Sequence, residues 1–560
     1  MPSTGWTGSI SMSSWGPRFG VRWALVALLL PTLVLCPDDA RAQYPDGWTW
    51  SQTVATNRTE FATDVAADSS HNALYTTGYV EKGFSGILGG LWALLFGANT
   101  SSDGYLVKQA LDGTVQWQIV LGGAGDDACN GVCVDAAGNV YVTGYFSGSN
   151  ASFTGASGSN QNMSSAGGRD IFVVCYNASG ALQWKIKAGA AADDQGNSIQ
   201  QANGKLFLGG TFNGSPTIAG MATSASATAV NNRVHGFIAA LQASNGSGIW
   251  RVDGANGTNS AINTVATDGS SVYSIGVHKG TSYTFQNSSG SLNSNLATIG
   301  SNLSGDILAL GVDGSFKWVQ AVANPGSDQI NALGVAASET AVYISGSSHN
   351  NSVFPGNLTI AGAGNPHDYG YVARLDKSNG ATKWTLTFSG ATDHAQVGRT
   401  LTTDVHGDVL VAGTYQNSLT LPNGSQLSGS NDLQVFLAKL SSSGVLKWAV
   451  TPSGQMDDMP NGIATDAVGG VYLAGSYEKD ITFDVSYSDH PSQNLFTAKL
   501  HDLDFDVAAF RDPSEFKVPH SMCASDAPLT LAGLLVPERM GTGKSVFSSS
   551  GVASPDAALG

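Results

Sequence analysis

Seven tryptophans on short apolar runs set the frame for this chain: Trp50, Trp117, Trp184, Trp250, Trp318, Trp384 and Trp448. Successive gaps are 67, 67, 66, 68, 66 and 64 residues. Between them lie strand-like runs ending at Gly78, Gly144, Gly210, Gly276, Gly346, Gly413 and Gly475. Further apolar runs begin at Tyr105, Phe172, Phe237, Leu308, Tyr371, Phe436 and Phe496. A fixed period of this length means one supersecondary unit repeated in a ring or a stack.

The stretch from Trp117 to Trp184 predicts the unit. QWQIVLG, NGVCVD, VYVTGYF and IFVVCY read as strands, separated by GAGDDA, AAGN, a Gly/Ser/Asn-rich excursion and ASG. Those connectors hold the residues that favour tight turns. Four antiparallel strands repeated seven times predict an all-β, seven-bladed β-propeller, since propellers have about 4 to 8 four-stranded blades. The ends of the pattern complement each other. WTWSQTV at the start has no cassette before it, and FTAKL from Phe496 has no tryptophan strand behind it. An N-terminal strand that completes the last blade would close the ring and remove exposed sheet edges.

Composition agrees with short strands and many turns. Charged residues make up 12% of the chain, against about 25% in ordinary domains, and there are 70 glycines. The net charge of −16 argues against nucleic acid, whose phosphates attract Lys and Arg. Five cysteines form no even, spaced framework. Cys133 stands where other repeats have small residues and reads as a core filler. Cys175 replaces the Lys or Arg of other repeats (Lys108, Arg374, Lys439, Lys499) and is expected to face differently.

The cassette DGYLVKQALDGTVQWQIVLGGAGDDACNGVCVDAAGNVYVTGYFSGS resembles the β-propeller repeat of secreted bacterial proteins, with its D-x-F run, G-x-x-x-W step, D-x-x-G-N-x-Y turn and Y-x-x-G strand. The likeness spans about Trp48 to Leu500 and is weaker in repeats three and four, where Gln201-Ala202-Asn203-Gly204 departs from the D-x-x-G-N turn. It implies the fold and no defined reaction. After Asp504 the pattern breaks. Cys523 to Gly533, followed by Phe547, Gly551 and Val552, resembles the opening of an Ig-like repeat of large bacterial surface proteins, of which a complete sandwich needs about 100 residues.

The N-terminus reads as an export signal. Arg18 and Arg22 precede the apolar stretch Trp23 to Cys36, and Ala40-Arg41-Ala42 offers a cleavage site. That stretch is 14 residues long and contains Pro31, short of the roughly 20 needed to span a bilayer. The expected organisation is a signal peptide over 1–42, the propeller over 43–504, and a linker with a truncated Ig-like start over 505–560. No membrane span is expected after cleavage, and the mature protein is expected to be secreted or at the cell surface.

Counting from the tryptophans exposes an acidic and amide collar. Nine and ten residues on come Asp126 and Asp127, Asp193 and Asp194, Asp457 and Asp458, with Asp328 and Asp393 in repeats five and six. Thirteen residues on come Asn130, Asn197, Asn263, Asn331 and Asn461. The pattern lapses at Ser260, His394 and Val397. In a closed ring these positions would circle the mouth of the central channel. Converging oxygens of this kind suit a hard cation such as calcium, or a polyol. The competing explanation, which the repeat favours, is that Asp and Asn bond nearby backbone and are copied into every blade with the fold. Asp135, Asp268, Asp404 and Asp466 recur in the following hairpin, where turn formation explains them.

Other signals weigh less. The apolar run Phe84 to Phe96 could dock a partner but reads first as a buried hairpin or helix. Gly541 to Ser545 lacks the first glycine of a phosphate loop, which falls on Glu538. Leu375 to Gly380 before Trp384 resembles the docking blades of quinone-dependent dehydrogenases, although seven blades rather than eight stand against it. The ten histidines show no metal-ligand spacing. The expectation is therefore an exported, non-enzymatic module that binds or displays a protein or glycan partner, with no cofactor. The rival is an extracellular enzyme, a polysaccharide lyase or hydrolase or a quinone-type oxidoreductase, working at the channel mouth. The blade-four excursion from Gly276 to Leu308 is the longest and so the place to look for broken symmetry.

Overall fold

The computed structural model describes residues 47–54, 59–81, 101–156, 161–224, 227, 233–257, 259–280, 283–292, 304–322, 330–349, 352–356, 358–360, 368–390, 397–483, 485–502, 546–547 and 553–554. Residues 46–505 form one compact unit; 1–45 and 506–560 belong to a second. In the second, the described residues are two paired short strands, Val546–Phe547 and Ala553–Ser554. The expected signal peptide, the Phe84–Phe96 run, and most of the Ig-like likeness lie outside the described residues.

The larger unit is a seven-bladed β-propeller of four-stranded antiparallel blades. Blade one runs outward through Glu60–Asp68, Ala73–Glu81, Ser102–Gln109 and Val115–Gly122. The inner strands of the other blades are Ala128–Val134, Gln195–Ala202, Asn259–Thr267, Ile330–Ala337, Val397–Thr403 and Met459–Thr465. Each touches the next, and the seventh touches the first. Closure follows the sequence expectation. Trp48–Val54 pairs antiparallel with Ser486–His501, with Trp50 opposite Lys499, and becomes the outer strand of blade seven. Strands from both ends of the repeat array thus share one sheet, and no blade edge is left by the join.

The core lies between blades rather than within one. Tyr75, Leu106 and Ile119 of blade one pack with Val132, Val140 and Phe172 of blade two. A middle strand is flanked by a blade on each side, so both of its faces are covered. That is why Asp170–Tyr176 and Gln434–Leu440 are buried at every position and read as continuous apolar runs instead of alternating ones.

The excursions between second and third strands of blades two, four and six fold back on the preceding blade. Ala151–Phe153 pairs with the outer strand of blade one through Leu121 opposite Phe153. Thr284–Asn287 pairs with the outer strand of blade three through Asp253 opposite Gln286. Ser418–Thr420 pairs with the outer strand of blade five through Ser389 opposite Thr420. Each added strand covers an outer edge that would otherwise offer unpaired N–H and C=O groups. The described part of the long blade-four excursion serves this purpose.

Candidate functional site

Every inner strand carries one β-bulge, and the register places it at Thr63, Asn130, Asn197, Asn263, Leu333, Arg399 and Asn461. A bulge re-aims its extra residue, and here the side chains reach sideways to the next blade. Thr63 Oγ1 donates to the Cys129 carbonyl at 2.6 Å. Asn130 Nδ2 donates to Gly196 at 2.8 Å, Asn197 Nδ2 to Ile262 at 2.8 Å, and Asn263 Nδ2 to Ala332 at 2.7 Å. Asn461 Nδ2 returns to Ala62 at 2.8 Å, across the closure. In each case the acceptor is the carbonyl just before the next bulge. Asn130, Asn197, Asn263 and Asn461 are therefore fasteners between blades, each contributing about 1 kcal/mol.

Asn331 does not join them. Thirteen residues separate Trp117 from its bulge, but fifteen separate Trp318 from Leu333 and Trp384 from Arg399. Counting thirteen lands two residues early in blades five and six. Asn331 is exposed and donates to Ser347 Oγ at 3.2 Å. The lapse counted at Val397 belongs at Arg399.

The described collar aspartates also hold the blades together. Asp127 is 1% exposed and Asp194 and Asp458 are 0% exposed, so they do not stand open at the channel mouth. Asp127 accepts the N–H of Gly123 at 2.7 Å and of Ser147 at 2.9 Å. Asp194 accepts from Ala190 at 2.7 Å and Asn213 at 2.9 Å. Their partners before them reach back one blade. Asp126, Asp193 and Asp457 accept from Ser102, Arg169 and Leu433 at 3.4, 3.0 and 3.0 Å. Asp328, Asp393 and His394 lie outside the described residues. Ser260 substitutes a hydroxyl that accepts from Gly236 at 2.9 Å. The hairpin aspartates shape turns: Asp135 accepts from Ala137, Asn139 and the Tyr141 hydroxyl, and Asp466 from Val468, Gly470 and Tyr472.

The seven tryptophans form an outer counterpart of the bulge ring. Six indole N–H groups donate to a turn carbonyl of the next blade: Trp50 to Leu111, Trp117 to Ala178, Trp184 to Ala243, Trp250 to Val312, Trp318 to Lys377 and Trp384 to Ser442. The receiving turn needs a glycine. Gly180 has φ +78°, and a Cβ there would press on the Trp117 ring.

Inside the ring of bulges lies a cavity of ≈ 470 Å³, within the usual range for small ligands. Asn130, Asn197, Asn263, Asn461, Gln200 and Gln201 give its wall amides, and Thr63, Thr264, Thr400 and Ser198 give hydroxyls. Its two charged lining residues are Asp64 and Arg399. Asp64 accepts the N–H of Val65 and, across the blade joint, of Val132, both at 2.9 Å. Burial pushes its carboxyl up to about 7, against the pull of those two N–H groups. Arg399 is half-buried and gives one bond, from Nη2 to Asn461 Oδ1 at 3.1 Å. Burial lowers its pKa. The bulge register would have exposed both residues; the tryptophan count misses Arg399 by two positions.

Blade four breaks the repeat in a second way. Six blades place an aromatic ring opposite the strand-ending glycine: Tyr105, Phe172, Phe237, Tyr371, Phe436 and Phe496. Blade four places Asp306 there. Its Oδ1 lies 3.1 Å from His278 Nδ1, and His278 stacks on Tyr283 with ring centroids 4.3 Å apart. Burial raises the Asp306 pKa while His278 opposes the rise. The pair is fully enclosed.

Cys129, Cys133 and Cys175 are buried free thiols. Burial pushes Cys129 and Cys133 well above the usual thiol range and Cys175 up to about 12, which leaves them unreactive. Cys175 does not face differently from its counterparts: it lies opposite Trp184 as Lys108 lies opposite Trp117. Among the described residues no group of three His, Cys, Asp or Glu side chains could hold a metal ion, and no helix is long and apolar enough to cross a membrane.

No family model matches the chain. Over 161 residues it is 23% identical to the uncharacterized WD repeat-containing protein L264 of Acanthamoeba polyphaga mimivirus, covering 27% of this chain and 11% of that protein. The matched region thus spans about a tenth of that relative's length. Among solved structures, the Neurospora crassa Pan2 WD40 domain aligns at a TM-score of 0.38 and 9% identity, over 78% of this chain and 89% of that one. Quinohemoprotein alcohol dehydrogenase from Comamonas testosteroni aligns at 0.37 and 10%, over 83% and 78%. These likenesses accompany the propeller architecture and carry no inference about a reaction or a partner.

Proposed function

We propose that the propeller is an exported, non-enzymatic binding module of a larger cell-surface or secreted protein, and that it holds a protein or glycan partner. One observation carries this reading. The two buried collar carboxylates Asp127 and Asp194, which the sequence offered for catalysis or metal binding, each accept two backbone N–H groups. A general acid or base must reach a substrate proton, and Asp127 and Asp194 are closed off. What remains is a rigid ring with two circuits of inter-blade bonds, carrying irregular excursions at one end. Rigid scaffolds that present loops are the usual setting for recognition. The N-terminal apolar stretch supports export.

The test is a glycan array together with a turnover screen on polysaccharides, using the purified full chain. Retention of one glycan class without cleavage is the expected outcome. Turnover of any polysaccharide by the purified protein overturns the non-enzymatic reading. Cell fractionation checks export, and recovery of the unprocessed chain in the cytosol would sink that part.

A further inference from the structure

The bulge ring breaks its pattern at Arg399, and from that break we infer that the central channel binds a small hydroxylated monocarboxylate, with the Arg399 guanidinium taking the carboxylate. This goes beyond the partner-binding reading and does not depend on it.

At the equivalent position blades two, three, four and seven carry Asn and blade one carries Thr, each committed to the neighbouring blade. Arg399 makes no such bond to a backbone carbonyl. Nη2 reaches Asn461 Oδ1 at 3.1 Å, and Nε is buried with no hydrogen-bond partner. No carboxylate lies within ion-pair distance of it among the described residues. A guanidinium has five N–H donors in a planar fork. Among the described residues Nη1 has no bonded partner, and unlike Nε it is not enclosed, so an N–H pair of the fork remains open for a ligand on the channel side. The fork matches a carboxylate in two parallel bonds.

The rest of the wall selects the remainder of the ligand. Elsewhere on its wall the cavity presents Asn130, Asn197, Thr63 and Thr400, groups that bond hydroxyls, among apolar residues such as Val65, Val335 and Leu401. The volume of ≈ 470 Å³ admits a single sugar acid. The net charge of −16 opposes a second negative charge. It favours a monoanion over a phosphate dianion.

The experiment is calorimetric titration of the full chain with glucuronate, gluconate, glucose and inorganic phosphate. The informative variant is Arg399→Asn, which introduces the residue of four other blades and so adds a fastener that the fold already accepts. Glucuronate or gluconate should bind the wild type, glucose should bind weakly, and Arg399→Asn should lose about ten- to a hundredfold in affinity at a thermal stability no lower than the wild type's. Arg399→Lys keeps the charge without the fork and should fall between. Equal binding by Arg399→Asn, equal binding of glucose, phosphate binding as tight as glucuronate, or no binding of either sugar acid at tens of millimolar would each overturn the inference. Partner capture in the glycan-array test should be unchanged in Arg399→Asn, which separates the two readings.

Discussion

The indole Nε1 of Trp448 donates to the Asp502 carboxylate at 3.0 Å, where its six counterparts donate to backbone carbonyls. The same carboxylate takes Lys439 Nζ at 2.6 Å, and Lys439 also meets Asp404 at 2.8 Å. All three side chains are buried. Burial alone would lower the Lys439 pKa, but Asp502 and Asp404 outweigh it and raise it. At the joint between blades six and seven the indole thus meets a charged group, where the other six meet backbone dipoles.

Removing one partner of a buried charge set leaves another uncompensated, at a cost of about 3 kcal/mol or more. Asp502→Ala should lower unfolding free energy by less than that amount, since Lys439 keeps Asp404 while the Trp448 N–H loses its acceptor. Asp502→Asn keeps an acceptor for the indole and should cost less. Urea denaturation of both variants decides this; equal losses would mean that the Trp448 bond contributes nothing.

Blade five lacks its fastener because Leu333 occupies the bulge. Leu333→Asn should let Nδ2 reach the Gly398 carbonyl, as Asn263 reaches Ala332. A net gain of about 0.5–1.5 kcal/mol is expected, read as a higher denaturation midpoint at unchanged slope. A loss would show that the Leu333 packing matters more than the missing bond.

The periodicity made the blade count and the closing strand legible, because both rest on local patterns of apolar and turn residues. The channel was less legible. Trp50 correctly marked the strand that closes the ring, but tryptophan spacing ran two residues short at Leu333 and Arg399. Loop length between outer and inner strand varies, whereas the bulge is fixed by sheet register. The aspartates were visible as a pattern, but whether Asp127 faces solvent or two backbone N–H groups depends on residues twenty positions away, such as Ser147. Asp306 escaped notice because its partner His278 is set by cross-strand pairing.

Stability should fall as pH rises from about 5 to about 9. Asp194 is raised to about 6 by burial, offset by N–H groups of Asn213 and Ala190. Asp458 accepts only Glu478 N–H, at 3.4 Å, while its Oδ2 is buried with no partner. Burial takes it to about 9, against the pull of that N–H, with Asp480, Asp457 and Asp432 adding to the rise. A carboxyl with a folded pKa above its unfolded value holds its proton better when folded. Its contribution is fully present below about pH 4 and is lost as pH climbs through the folded value. Asp458→Asn should flatten the profile between about pH 6 and 9. An unchanged slope in denaturation midpoints over that range would reassign the effect to other groups.

The closing strand should be the most sensitive short segment of the ring. Trp50 Nε1 donates to Leu111 at 3.0 Å, Gln52 Nε2 to Gly113 at 2.6 Å, and Gln109 Nε2 to Gln52 Oε1 at 2.6 Å. The strand is therefore bonded to blade one as well as paired within blade seven. Trp50 also packs against Tyr472 and the Gly113 turn. Trp50→Ala should cost about 3–5 kcal/mol through the cavity left behind, and Trp50→Phe less. Deleting residues 43–54 should leave a three-stranded blade with an open edge, a template for pairing between chains. Light scattering should then show association that a synthetic 46–54 peptide, added in trans, suppresses. A deletion variant that stays monomeric at the wild-type denaturation midpoint would show that the ring does not depend on this strand.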